Sequence, residues 1–141
     1  MAELVLEGKT ARSLSALGGR NLVKTGEILA GSIVESMKDF SVVSNGKEIT
    51  LSNEREKLLI KPEQGEPVFR EKYYLYQKGS IVLESNKRLL EKTKQLLIKL
   101  ASERKNYILE RYDSKHLEEY GLSMDFVLDL QKTVNELEVK E

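Results

Sequence analysis

The sequence has no cysteine, no tryptophan, one histidine and two prolines among its 141 residues. Without thiols there are no disulfides, no thiolate metal sites and no cysteine nucleophile, and the composition fits a cytoplasmic setting better than a secreted one. The single imidazole, His116, has no second histidine or cysteine to complete a metal site and stands alone as a base for any serine. Glu118 and Glu119 lie close by in sequence, yet on a short polar helix the simpler reading is a solvated side chain. Net charge is also missing: 23 basic and 23 acidic residues cancel, so no overall field draws the chain to nucleic acid or to an anionic membrane. No apolar run approaches the roughly 20 residues of a membrane-spanning helix, and residues 1–7 lack the basic start and apolar core of a signal peptide.

What remains is a charge-rich chain with enough apolar residues to fold, 33% charged and 40% hydrophobic. Its length suits one domain over residues 1–141, with a mixed helix and hairpin portion at 1–84 and a helical portion at 85–141. Lysine outnumbers arginine by 16 to 7, a bias expected of an AT-rich coding sequence and compatible with a phage or mobile-element protein.

Leu4, Val5 and Leu6 open a short strand. Thr10 is placed to cap a helix holding Ala11, Leu14 and Leu17, which Gly18-Gly19 would stop. From Asn21 a second helical pattern buries Leu22, Ile28, Leu29, Ile33 and Met37, with Gly26 and Gly31 as weak points unless they admit a close neighbour. The pair Asn45-Gly46 is the preferred centre of a two-residue type I′ hairpin. That turn sets Ser44 against Lys47, Val42 against Ile49 and Phe40 against Leu51. Residues 52–61 read both as a helix start, through Asn53 and Glu56, and as a strand, through Leu58, Leu59 and Ile60. Pro62, Gly65 and Pro67 suggest a break, followed either by a second hairpin over residues 68–84 with its turn at Lys78-Gly79, which Tyr73-Tyr74-Leu75-Tyr76 and Ile81-Val82-Leu83 favour, or by a helix with Pro67 in its first position. Residues 85–112 carry the strongest helical pattern, interrupted at Glu103, Arg104 and Lys105, where the helix is expected to leave the core. Asp113 and Ser123 can then cap two shorter helices separated by Gly121.

Residues 84–111 hold eight basic and four acidic side chains, and residues 112–141 hold three basic and eight acidic ones. A basic long helix folded against an acidic C-terminal helix makes an antiparallel pair, within one chain or between two. The candidate interface is accordingly Leu89, Leu96, Leu100, Tyr107, Val127, Leu130, Val134 and Leu137.

A second set of residues suits anions. Gly18-Gly19-Arg20-Asn21 with Lys24 has the look of a phosphate-cradling loop before a helix, but matches neither the P-loop nor the dinucleotide fingerprint, and a helix stop and restart explains it more simply. Arg20 and Lys24 are its testable cations. Between residues 70 and 78 a strand would point Arg70, Lys72, Tyr74, Tyr76 and Lys78 to one side, and basic groups interleaved with aromatics hold phosphates and stack bases. Half-buried tyrosines with lysines snorkelling around them are the ordinary alternative.

The expected fold is therefore α+β: N-terminal helices, a hairpin centred on Asn45-Gly46, a second hairpin, and a long C-terminal helix followed by a shorter one packed antiparallel. The expected function is non-enzymatic. It is that of an interaction or structural accessory protein without metal or cofactor, self-associating or docking a protein partner through its C-terminal helices, with no membrane contact. The alternative is a small nucleic-acid binder. The order of two helices and a hairpin resembles that of winged-helix proteins, which implies DNA contact and a dimerising C-terminal helix.

Overall fold

The structure, a computed structural model, describes all residues except 71 and 72, and describes residues 70, 73 and 74 through their backbone alone. The described residues form five strands and six helices in the order β1 (Ala2–Glu7), α1 (Gly8–Leu14), α2 (Leu22–Ser36), β2 (Ser41–Ser44), β3 (Ile49–Ser52), β4 (Lys57–Arg70), β5 (Tyr73–Ser85), α3 (Lys87–Arg111), α4 (Ser114–Glu119), α5 (Met124–Leu128) and α6 (Leu130–Asn135). The strands form one antiparallel sheet in the order β1-β5-β4-β3-β2. This is the α+β class the sequence implies. The two-helix-and-hairpin order belongs here to a five-stranded sheet.

Alternation along the strands sorts the sheet into two faces. Ala2, Leu4, Leu6, Ile49, Leu51, Leu58, Ile60, Ile81 and Leu83 are all buried and join Leu14, Leu22, Leu29, Leu90 and Leu97 of the helices in one core. Each such leucine or isoleucine contributes about 1.5–3 kcal/mol by leaving water. The other face carries Glu3, Val5, Lys61, Val82 and Glu84: Val5 is 41% exposed, Val82 is buried beside it, and Lys61 and Glu84 pair at 3.1 Å.

The first hairpin is present, but its pairing is shifted. Ser44 faces Ile49 and Val42 faces Leu51, so the faces are as expected while every partner moves by two residues. Asn45 does not take the left-handed position of a type I′ turn. Its side-chain carbonyl accepts from Lys47 N at 2.9 Å and Glu48 N at 2.8 Å, its own N–H donates to Glu48 O at 3.2 Å, and Gly46 takes the positive φ of +84°. The next turn is built the same way. Asn53 Oδ1 accepts from Arg55 N and Glu56 N at 2.8 Å each, which makes residues 53–56 a turn and starts β4 at Lys57.

A second hairpin is formed by β4 and β5, but neither Pro62-Gly65-Pro67 nor Lys78-Gly79 interrupts it. Strand β4 runs through both prolines, and Gly79 sits inside β5, opposite Gln64 at a register shift. Asn53 N donates to Glu56 O, and the alternation from that pair turns the main-chain groups of Ile60 and Pro62 toward β3. Because β3 ends opposite Ile60, the N–H that Pro62 lacks would have met no neighbour there. Gly79 has φ +135°, and a Cβ on it would run into the Glu63 carbonyl and within 2.9 Å of Leu22 Cδ1. Glycine absorbs the distortion that would otherwise end the strand.

Two N-terminal details also differ. Thr10 is buried within α1 and the N-cap is Glu7, which makes no side-chain cap bond, because β1 runs straight into the helix with Gly8 pressed against the Gly79 backbone. Helix α1 ends at Leu14, before Leu17, in a reversal where Ala16 and Leu17 adopt φ of +56° and +62°. Ser15 Oγ bonds the Arg12 and Gly18 carbonyls across it.

Helix α3 is capped by Asn86, whose side chain accepts from Leu89 N at 2.8 Å. The interruption near residue 104 does not take it out of the core: Arg104 Nε donates to Leu14 O at 3.2 Å, answering a carbonyl at the end of α1. Beyond it Ile108 joins Leu17, Leu117, Leu122 and Val127 in a second small core. The C-terminal pattern forms two helices, α5 and α6, broken at Asp129, and α6 packs along α3, as the expected antiparallel arrangement requires. The chain then returns to β1, where Glu3 N donates to Lys140 O at 2.7 Å and Lys140 N donates to Glu3 O at 2.9 Å.

Candidate functional site

The β4–β5 hairpin outruns its neighbours. Strand β3 pairs with β4 only through Ile60, and β1 pairs with β5 only from Ser80, while β4 and β5 stay paired to Arg70 and Tyr73. From Glu63 to Arg70 this arm is roughly 25 Å long at about 3.3 Å per residue. Glu63, Gln64, Glu66 and Pro67 are exposed along it, and Phe69 near its end is 63% exposed.

One buried cation fastens the outer half of the arm to the helices. Arg12, 4% exposed, donates from Nη1 to Gln77 O at 3.2 Å and from Nη2 to Tyr120 O at 2.8 Å, and its guanidinium carbon lies 4.3 Å from the Tyr76 ring centroid. It thereby joins α1 to β5 and to the end of α4. Gly121, at φ +71°, completes the joint, since a Cβ there would come within 2.5 Å of the Tyr76 hydroxyl. Nothing in the sequence points to the role of Arg12, and it marks Gly121 only as the end of a helix, which it is.

Of the anion candidates, Tyr76 and Lys78 reach one cleft of about 320 Å³ with Lys9 and Arg12. One face of Tyr76 is occupied by the Arg12 guanidinium, and Lys9 lies 4.9 Å from the Phe126 ring centroid and 3.9 Å from Glu7. Those groups are engaged in holding the fold. Lys24 lines a shallow hollow with Glu27 and Gln64, and Arg20 lines another with Glu119 and Leu75, so the two cations of the expected loop do not converge. Asn21 is the N-cap of α2, accepting from Lys24 N at 2.8 Å, which makes this segment a helix restart. Lys72 lies outside the described residues, and the side chains of Arg70 and Tyr74 lie outside them too.

The interface candidates are largely spent inside the chain. Leu89, Leu100, Val127, Leu130 and Val134 are buried, Leu96 and Leu137 are half-buried against the same core, and Tyr107 is 38% exposed with Arg111 stacked on it. The physical reason is the antiparallel return itself, in which α6 covers the stripe that α3 would otherwise present.

Titratable groups serve structural joints as well. Asn86 donates to Glu56 at 3.0 Å and Arg88 pairs with it at 2.6 Å; these contacts, the amide first, hold its carboxyl below the usual range. The His116 backbone N–H lowers Asp113 in the same way, and His116 Nδ1 sits 2.9 Å from the same carboxylate on an exposed surface. Burial raises the Tyr112 phenol. Among the described residues no group of three or more His, Asp or Glu is placed to hold a metal ion, and no helix is long and apolar enough to cross a membrane. Compared with known protein families, with curated proteins and with solved structures, the chain matches none of them.

Proposed function

We propose that this chain is a non-catalytic interaction or structural accessory protein that associates through the projecting β4–β5 arm. The observation that carries the reading is an arm whose strands, among the described residues, have no strand neighbour but each other beyond Glu63 and Ser80, with the Phe69 side chain 63% exposed near its end. An exposed aromatic near the end of a two-stranded arm whose β5 side is fixed by Arg12 suits an anchor inserted into a partner's pocket. The C-terminal helices, expected to dock the partner, support the arm's platform. The test is light scattering after size exclusion on the full chain and on Phe69→Glu. Loss of association by at least about tenfold with an unchanged circular-dichroism spectrum supports the arm. Binding of a mixed-sequence single-stranded oligonucleotide that weakens steeply with salt, and is lost on replacing Lys72 and Lys78, replaces it with the nucleic-acid reading.

A further inference from the structure

We propose that Asn45 is a self-modifying residue: the main-chain nitrogen of Gly46 attacks the Asn45 side-chain amide, ammonia leaves, and water opens the resulting succinimide to aspartate or isoaspartate. The inference is independent of the arm and concerns the turn between β2 and β3. An asparagine followed by glycine is open to this reaction in any chain, because no Cβ shields the attacking nitrogen. The fold adds an arrangement around each reacting atom. Ser44, Asn45 and Gly46 are all exposed, and a Cβ built on Gly46 would stand in open space.

The electrophile is polarised in advance. Asn45 Oδ1 accepts from Lys47 N at 2.9 Å and Glu48 N at 2.8 Å, so two main-chain donors already point at the oxygen on which negative charge develops as Cγ becomes tetrahedral. The nucleophile has an outlet for its proton. Gly46 N–H donates to Ser44 Oγ at 3.4 Å, and Ser44 Oγ donates to Glu27 Oε2 at 2.9 Å. A peptide nitrogen becomes acidic only as it bonds to carbon, and a carboxylate reached through one hydroxyl is placed to take the proton during that attack. Glu27 is half-buried on α2, which packs against both β2 and β3, so the relay exists only in the folded chain.

The step balances without a further reagent but water. The bond from Gly46 N to Asn45 Cγ forms as the nitrogen's proton passes through Ser44 to Glu27. The Cγ–Nδ2 bond then breaks, and the proton returns through water to the leaving nitrogen, which departs as ammonia. A hollow of about 350 Å³ bordered by Glu27 and Gly46 admits that water. Water then adds to one or the other imide carbonyl, giving aspartate, or isoaspartate when the main chain comes to run through the former side chain. Either product places a new negative charge in the turn that holds Glu48. The turn at Asn53 is a comparison within the same sheet. Asn53 Oδ1 also accepts from two main-chain donors, Arg55 N and Glu56 N at 2.8 Å each, but the next residue is Glu54, and Asn53 Nδ2 is tied to Asp39 Oδ2 at 2.9 Å. It has the polarised carbonyl without the glycine, and its leaving nitrogen is held.

The test incubates the full chain near neutral pH, folded and in urea, and follows amide-to-carboxyl conversion at Asn45 and Asn53 by peptide mass mapping, with released ammonia measured alongside. Conversion of Asn45 at least about tenfold faster in the folded chain than in urea, with Asn53 retained, supports the proposal. Ser44→Ala and Glu27→Gln should each lower the folded rate by at least about tenfold, well within what a positioned base contributes, and leave the rate in urea unchanged. Ser44→Thr, which keeps the hydroxyl, should restore the folded rate, and circular dichroism checks that each variant is folded. Conversion no faster in the folded chain than in urea, or equal conversion of Asn53, overturns the proposal. A folded rate that survives Ser44→Ala or Glu27→Gln, or that Ser44→Thr fails to restore, also overturns it.

Discussion

Arg12 shows how much one side chain can fasten. Its guanidinium reaches Gln77 and Tyr120, residues 65 and 108 positions away, and stacks on Tyr76. Arg12→Met keeps the length and removes the donors, leaving two carbonyls in a confined space. The expected cost is about 2–4 kcal/mol of unfolding free energy, read from urea titration, with Arg12→Lys recovering less than half of it because one ammonium cannot span both acceptors. A loss under about 0.5 kcal/mol would show that the joint is not structural. Local logic made other single residues legible in the sequence. Asp113 and Ser123 cap the helices they precede, each accepting from the N–H three positions on, and Asn21, expected only as the start of a helical pattern, caps α2 in the same way. Arg12 gave no such signal, since its partners lie in distant elements.

The turns and hairpins tell a similar story at the scale of elements. Alternation correctly assigned the buried face of β3, and Asn45 correctly marked a turn, but the asparagine carbonyl captured two backbone donors and moved the turn by one residue. Pro62, Pro67 and Gly79 read as breaks because a single sequence does not show where a neighbouring strand ends. The second turn, at Asn53, also ties the sheet to α3 through Glu56, which holds both Asn86 and Arg88. Because the carboxyl of Glu56 is lowered from its usual 4.5 by those contacts, its stabilisation is fully present above that pH and is lost as pH falls through the folded value. Glu56→Gln should therefore cost stability at pH 7 and progressively less in acid. The difference should stay under about 1 kcal/mol because Arg88 is mostly exposed. Urea midpoints at pH 7 and pH 3 measure it, and a gap that widens in acid would contradict the link.

At the scale of the molecule, the sequence indicated that a long helix and a C-terminal helix pack antiparallel while leaving open whether one chain or two supplied them. The chain supplies both: Leu130 and Val134 are fully buried against the core that holds Leu97 and Ala101. Leu130→Ala should cost about 2–5 kcal/mol at any protein concentration, and Leu128→Ala, at a side chain that is 50% exposed, under about 1 kcal/mol. A melting temperature of Leu130→Ala that rises with protein concentration toward the wild-type value would instead place that leucine between chains. Candidate surfaces were the least legible part, because the apolar residues that announce themselves by periodicity are those the fold consumes, whereas the arm is defined by where neighbouring strands stop.

The pairing of β1 also sets an order in time. Residues 2–7 leave the ribosome well before residues 80–85, their partners, and Glu3 waits further for Lys140. Strand β1 thus stays unpaired while the other four strands are made, and it closes the sheet last.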